Sequence, residues 1–241
     1  MKTEEIDKAG LNVTIRAFKA VNEKETCLKF LEGHVKVLKD YGISNVTTNN
    51  TLWIDNPSIY VVVAECKENN NELLGGVRVH VADGRLPLPL EAAIGRIDGG
   101  VYKLIKEYID EGTGELCALW NSKIVAGYGL SLLLIRAGIS VVNQVSLSSL
   151  FTICADYTMP MVKKVGFVIE ESVGNGGGFV YPNENYIAKV LRKMNAEKLD
   201  TAEEYDRERI LNLRKNPEQK FPESGPKGII NVNYQLRINL Q

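Results

Sequence analysis

The stretch "SKIVAGYGLSLLLIRAGI" (residues 122–139) joins a run of small, flexible residues to an apolar segment that carries one charge, Arg136. If Ala126, Gly127, Tyr128 and Gly129 link a strand to a helix, several backbone N–H groups converge there at the positive end of the helix dipole. Glycine lets a ligand approach the backbone and accepts φ values that other residues resist. The stretch reads either as a phosphate cradle or as plain chain punctuation, and its surroundings must decide.

Two phosphate motifs fail at once. The dinucleotide fingerprint G-x-G-x-x-G needs a third glycine where Leu132 stands, and no Asp or Glu follows about 20 residues on to hold a ribose. The nucleotide P-loop needs Lys and Ser/Thr where Leu130 and Ser131 follow Gly129.

Upstream, "ELCALWN" (115–121) reads as the strand that feeds the turn. Before it come an alternating strand, "NVTIRAF" (12–18), and a helix over 22–42 with Leu28, Leu31, Val35 and Leu38 at helical spacing. Asn22 with Glu25 predicts a capping box at the helix start, and Gly42 a left-handed stop. Two β-rich runs, 59–65 and 72–82, predict an antiparallel hairpin. Residues 84–114 read as an insertion: "RLPLPLE" opposes a regular helix, whereas 101–110 sets Val101, Leu104, Ile105 and Tyr108 on one helical face. Downstream, the spacing predicts a helix after the turn, a strand over 144–155, and a short helix with Pro160 in its first turn. A hairpin is expected over 167–182, turning at Asn175-Gly176. "LRKMNAEK" and "RERILNLRK" read as charge-rich helices with solvated faces, the second opened by a capping box at Thr201 and Glu204. A Pro/Gly-broken loop then leads to a final strand, 228–240. The fold class is α/β (α+β), a mixed, mostly antiparallel sheet flanked by helices. A main domain is expected over 1–182, with a C-terminal helical and strand extension over 183–241.

The chain has 241 residues, 44% apolar and 24% charged, with a net charge of −1. That balance argues against a nucleic-acid or membrane-surface protein. No apolar run reaches the roughly 20 residues of a bilayer span. Four scattered cysteines, Cys27, Cys66, Cys117 and Cys154, without CxxC spacing or an apolar leader, suit buried thiols in a cytoplasmic protein. The two histidines, His34 and His80, make no metal site, and no metal is expected. His80, at a strand end, reads as a surface or hydrogen-bonded residue.

The order of elements, "IVAGYG" (124–129) and "KKVGF" (163–167) together resemble the GNAT superfamily of acyl-CoA N-acyltransferases. The first fits the glycines of the family's loop and the second its helix-to-strand signature. The resemblance implies that the amides of Val125, Ala126, Gly127, Tyr128, Gly129 and Leu130 hold the pyrophosphate of coenzyme A. It also implies that the pantetheine lies beside Leu119 and Trp120, where two parallel strands splay. Ile124 stands where the family has Gln or Arg, and Val162 where many members carry the tyrosine that protonates the leaving thiolate. Tyr157 sits near, at a position often filled by a donor-contacting asparagine, and is the second catalytic candidate. Arg78 in "GGVRV" and Glu115 resemble a narrower branch, the acyl-homoserine lactone and N-acyl amino acid synthases. There the arginine would serve the substrate, and an acyl-carrier protein could replace acyl-CoA as donor.

The implied activity is transfer of an acetyl or longer acyl group from acyl-CoA to a small-molecule amine by direct attack, in a protein free to form a homodimer. Such attack needs a proton acceptor as the nitrogen gains charge, and Glu115 fits: alternation places it with Cys117 and Leu119 on one strand face. A buried Glu would have its pKa raised toward the working range, whereas a strand-end Glu in solvent would do nothing. The competing class is a non-catalytic acyl-CoA sensor, favoured by Ile124 and Val162.

Overall fold

The computed structural model describes residues 11–43, 49–66 and 72–239. Strand β1 (Leu11–Lys19) leads to helix α1 (Lys24–Asp40) and to the hairpin β2 (Ile59–Cys66) and β3 (Glu72–Val81). The insertion folds as two short helices, α2 (Pro89–Ile94) and α3 (Gly100–Tyr108), before β4 (Thr113–Asn121) and α4 (Leu130–Val141). Next come β5 (Ser149–Ala155), α5 (Met159–Lys164), β6 (Val168–Ile169), β7 (Gly178–Val180) and β8 (Ile187–Lys193). The chain closes with α6 (Glu204–Lys215), β9 (Glu218–Gly225) and β10 (Gly228–Gln235).

One sheet holds these strands in the order β6-β8-β5-β4-β3-β2-β1-β10-β9, with β7 also on β8. Its pairs are antiparallel except β4–β5 and β1–β10, which are parallel. Helix α4 covers one face over β2, β3 and β4, and its apolar side chains from Leu130 to Val141 join Val62, Val77, Val79 and Leu116 in the main core. The opposite face carries α1 over Val61, Val63 and Trp120, and the insertion over Phe151 and Val190. Gly33 of α1 is required there, because a Cβ would lie 2.1 Å from the Trp120 ring.

Several sequence expectations change. Helix α1 starts after Glu23 with no side-chain cap, so Asn22 and Glu25 form no capping box. Its buried face is Cys27, Phe30 and His34, while Leu28 is exposed, because the aromatic cluster around Trp53 and Trp120 selects that side. The prolines of "RLPLPLE" do not prevent a helix; Pro89 occupies the first turn of α2, where its missing N–H costs nothing. Residues 142–145 form a 3-10 turn, so β5 begins only at Ser149. The 167–182 hairpin shrinks to a tight turn closed by one antiparallel bridge, Asn175–Gly178, while β6 and β7 each pair with β8 rather than with each other. Strand β8 takes in Leu191, Arg192 and Lys193 of the expected "LRKMNAEK" helix, and Lys193 is fully buried. Thr201 does not cap α6; its hydroxyl donates to the Gly166 carbonyl instead. The expected loop after 215 contains β9, whose Pro222 is tolerated because this is an edge strand.

Helix α6 is not a solvated face either. Its Asp206 accepts from Arg136 Nε of α4 at 2.7 Å, and its Arg209 donates to Glu223 of β9 at 2.6 Å. Glu223 also lies 3.6 Å from Arg136 and accepts from the Tyr234 hydroxyl of β10 at 2.8 Å. All five residues are buried. Arg136, the single charge of the apolar segment that follows the glycine turn, is thus the cation through which α4 holds α6 and the C-terminal hairpin.

Candidate active site

Strands β4 and β5 pair only from Thr113–Ser149 to Glu115–Phe151 and then part. Beyond that point a cleft of about 310 Å³ opens between them, walled by β4, β5, α1, α4 and α5. A bulge shapes the β4 side: Cys117 pairs with Arg78 but Trp120 pairs with Gly76, and Ala118 takes the extra residue at φ 51°. The bulge overturns simple alternation. Trp120, not Leu119, follows Cys117 on the α1 face, and Leu119 packs toward the main core. Both residues still line the cleft, the Trp120 ring being pinned between Gly33 and Phe30.

Glu115 sits where the strands part and is fully buried, not a solvent-facing strand end. Its Oε2 accepts from the Leu90 amide of α2 at 2.8 Å, and its Oε1 has no hydrogen-bond partner among the described residues. Burial pushes its pKa up to about 8, a shift that the Leu90 amide and Arg78 only partly oppose. At neutral pH the carboxyl therefore rests protonated and needs only a modest change to become a base. Its cross-strand neighbour His80 is also buried, with neither ring nitrogen hydrogen-bonded, which corrects the reading of a surface or satisfied residue. Burial, then the Arg78 charge, lowers His80 to about 3, so it is neutral.

Arg78 lies under the same layer, its guanidinium 4.2 Å from the Trp53 ring centroid and against the Cys117 thiol, with Nε and Nη1 unpartnered. It does not line the cleft. His34 of α1 does, and the sequence reading missed it. Burial and the Arg78 charge lower its pKa to about 4, and its Nδ1 is unpartnered. The signal was present: Cys27, Phe30 and His34 recur at helical spacing on α1. Tyr157 stands at the cleft mouth in a 3-10 turn, largely exposed, with its ring stacked on Tyr41 at 6.4 Å. Burial raises its pKa, so the hydroxyl keeps its proton at neutral pH.

At the cleft's other end lies the glycine turn, reached through Lys123, Ala126 and Ser131. Residues 123–125 form a 3-10 turn, Gly129 caps α4 at φ 80°, and Gly127 sits at φ 88°. The amides of Val125, Ala126 and Tyr128 are committed to carbonyls of the turn itself. Those of Gly127, Gly129, Leu130 and Ser131 have no acceptor among the described residues. The amides left open are thus fewer than the six that the resemblance implies, and they lie toward the helix.

No family model and no curated protein matches the sequence. Solved structures do match in shape. FeeM, an N-acyl amino acid synthase from uncultured soil microbes, aligns over 78% of this chain and 98% of its own, with a TM-score of 0.56 and 15% identity. BjaI, a CoA-dependent acyl-homoserine lactone synthase solved with SAM and isopentyl-CoA, aligns over 95% of this chain and 96% of its own, at TM-score 0.54 and 13% identity. MesI, a second CoA-dependent acyl-homoserine lactone synthase, gives 0.53 at 11% identity over 83% of this chain and 95% of its own. With the splayed parallel pair and the glycine turn at the start of α4, these matches establish that the chain has the fold of the GNAT N-acyltransferases.

Proposed function

We propose that the chain transfers an acyl group from acyl-CoA to the amine of a small acceptor by direct attack. The observation that carries this reading is Glu115: a fully buried carboxyl, one oxygen unpartnered, lining the cleft that ends at the unpaired amides of the glycine turn. The pyrophosphate would sit on the amides of Gly127, Gly129, Leu130 and Ser131. The pantetheine would follow β4 at Leu119 and Trp120, where that strand has lost β5 as partner. Glu115, as carboxylate, takes the proton as the amine nitrogen bonds to the thioester carbonyl. When the C–S bond breaks, the thiolate takes the proton of Tyr157. The neutral His34 and His80 leave the Arg78 guanidinium as the fixed charge behind this layer.

The test is calorimetry with coenzyme A and acetyl-CoA, followed by an amine panel assayed for thiol release. Glu115→Gln keeps the shape and the Leu90 hydrogen bond, so donor affinity should hold while kcat falls about 10²–10⁴-fold, the usual contribution of such a base. Wild-type turnover by this variant on the identified amine would exclude Glu115 as the base.

A further inference from the structure

The glycine turn does not stand alone. The tip of the β9–β10 hairpin is built against it: the Lys227 amide donates to the Gly127 carbonyl at 3.0 Å. The Lys227 side chain crosses the turn so closely that a Cβ on Gly127 would meet its Cε, Cδ and Cγ at 2.7–3.0 Å. Across the contact Gly225 is equally constrained, since a Cβ there would lie 2.1 Å from the Tyr128 carbonyl oxygen. Two segments far apart in sequence thus pack closely on each other at Gly127 and Gly225.

Charge makes this contact more than packing. A donor pyrophosphate is anionic, yet Ile124 places an aliphatic, exposed side chain at the head of the turn. The nearby Lys123 ammonium is held 3.0 Å from Asp40 of α1. Lys227 is exposed, and no ion pair involves it among the described residues. A ligand in the cleft that runs to this turn is indicated independently by the fully buried Glu115 oxygen, which has no partner among the described residues.

We infer that the hairpin tip is part of the donor site and that Lys227 supplies the cation for the donor's phosphates. The inference rests on the acyl-CoA reading above. A cation one side chain away from converging amides adds charge to their partial charges, and its effect falls with ionic strength as a solvent-exposed contact must.

The test is calorimetric titration of the full chain with coenzyme A and with its dephospho form, at low and raised ionic strength. Lys227→Gln should weaken coenzyme A binding about twofold to fivefold at low salt, the size expected of one exposed ionic contact, and the gap should close as salt rises. Lys227→Arg should restore most of the affinity, and Lys106→Gln, on the exposed face of α3, should change nothing. An equal loss with the dephospho form assigns Lys227 to the pyrophosphate; a loss confined to coenzyme A assigns it to the 3′-phosphate, and both support the inference. Wild-type affinity in Lys227→Gln, with the wild-type protein binding coenzyme A, overturns the role of Lys227 alone. No binding by the wild-type protein overturns the donor reading and this inference with it.

Discussion

Under the proposed function, Glu115 joins catalysis to stability through a single proton. Its folded pKa, about 8, lies above the ordinary 4.5, so the folded protein holds this proton more tightly than the unfolded chain. The resulting stabilisation is fully present below pH 4.5 and is lost as pH rises through 8. His34 and His80, with lowered pKa values, act oppositely: their contribution is present above their ordinary 6.5 and lost as pH falls toward 4 and 3. Comparing wild type with Glu115→Gln cancels the histidines. The variant should gain on the wild type by a few kcal/mol between pH 5 and pH 9, read as a narrowing or reversal of their Tm difference. Parallel Tm curves for the two proteins across that range would mean that Glu115 is ionised and solvated in the folded state. The pH–rate profile of the wild type should rise toward pH 8, where the carboxylate forms.

Among the elements, α4 does two jobs. Its N-terminal glycine turn offers amides, and its middle, through Arg136, fastens α6 and the β9–β10 hairpin whose tip lies on that turn. Arg136→Met leaves Asp206 buried without its cation and removes one of two cations from Glu223. Breaking a buried pair in this way costs about 3–5 kcal/mol, equivalent to a Tm drop of about 10 °C for a chain of this size. Arg136→Met with Asp206→Leu should recover much of that loss, because the orphaned charge goes too. A melt of the single variant within a degree or two of wild type would show that water reaches this network. Element identity was legible in the sequence wherever periodicity was strong, as in β1–β4, α3 and α4. It failed at β8 and β9, where Lys193 and Pro222 read as surface or loop chemistry and pairing partners decided otherwise.

At the scale of the molecule, an apolar insertion between β3 and β4 could wall a tunnel for a long acyl chain, and its packing bears on the length of the proposed donor. In the structure Leu88, Leu90, Ile94, Val101 and Ile105 close on Phe151, Val173 and Val190, and only Pro89 and Ala93 of the insertion reach the cleft. The Leu90 amide, hydrogen-bonded to Glu115, ties α2 to β4 beside them. A cleft of about 310 Å³ is at the low end for ligand pockets, and under the proposed function it also holds the pantetheine arm. Short donors should therefore be preferred: acetyl-CoA and butanoyl-CoA should bind at least tenfold more tightly than myristoyl-CoA in side-by-side calorimetry. Tighter binding of myristoyl-CoA would require the insertion to move and would restore the long-chain reading.

The sequence by itself determined the strand–turn–helix at 115–139, its glycines, the order of the first four strands and the candidacy of Glu115. Local rules suffice there, since glycine's freedom, alternation and helical spacing act over a few residues. Only the tertiary structure decided which of these residues meet. The bulge at Ala118 moved Trp120 to the α1 face, and α1 turned His34 into the cleft. Burial among Arg78, His80 and Leu90 set the protonation of Glu115. The C-terminal hairpin came onto the glycine turn through ion pairs between residues 70 and more positions apart. Burial and long-range pairing depend on what the rest of the chain packs against each side chain, and no stretch of sequence carries that information alone.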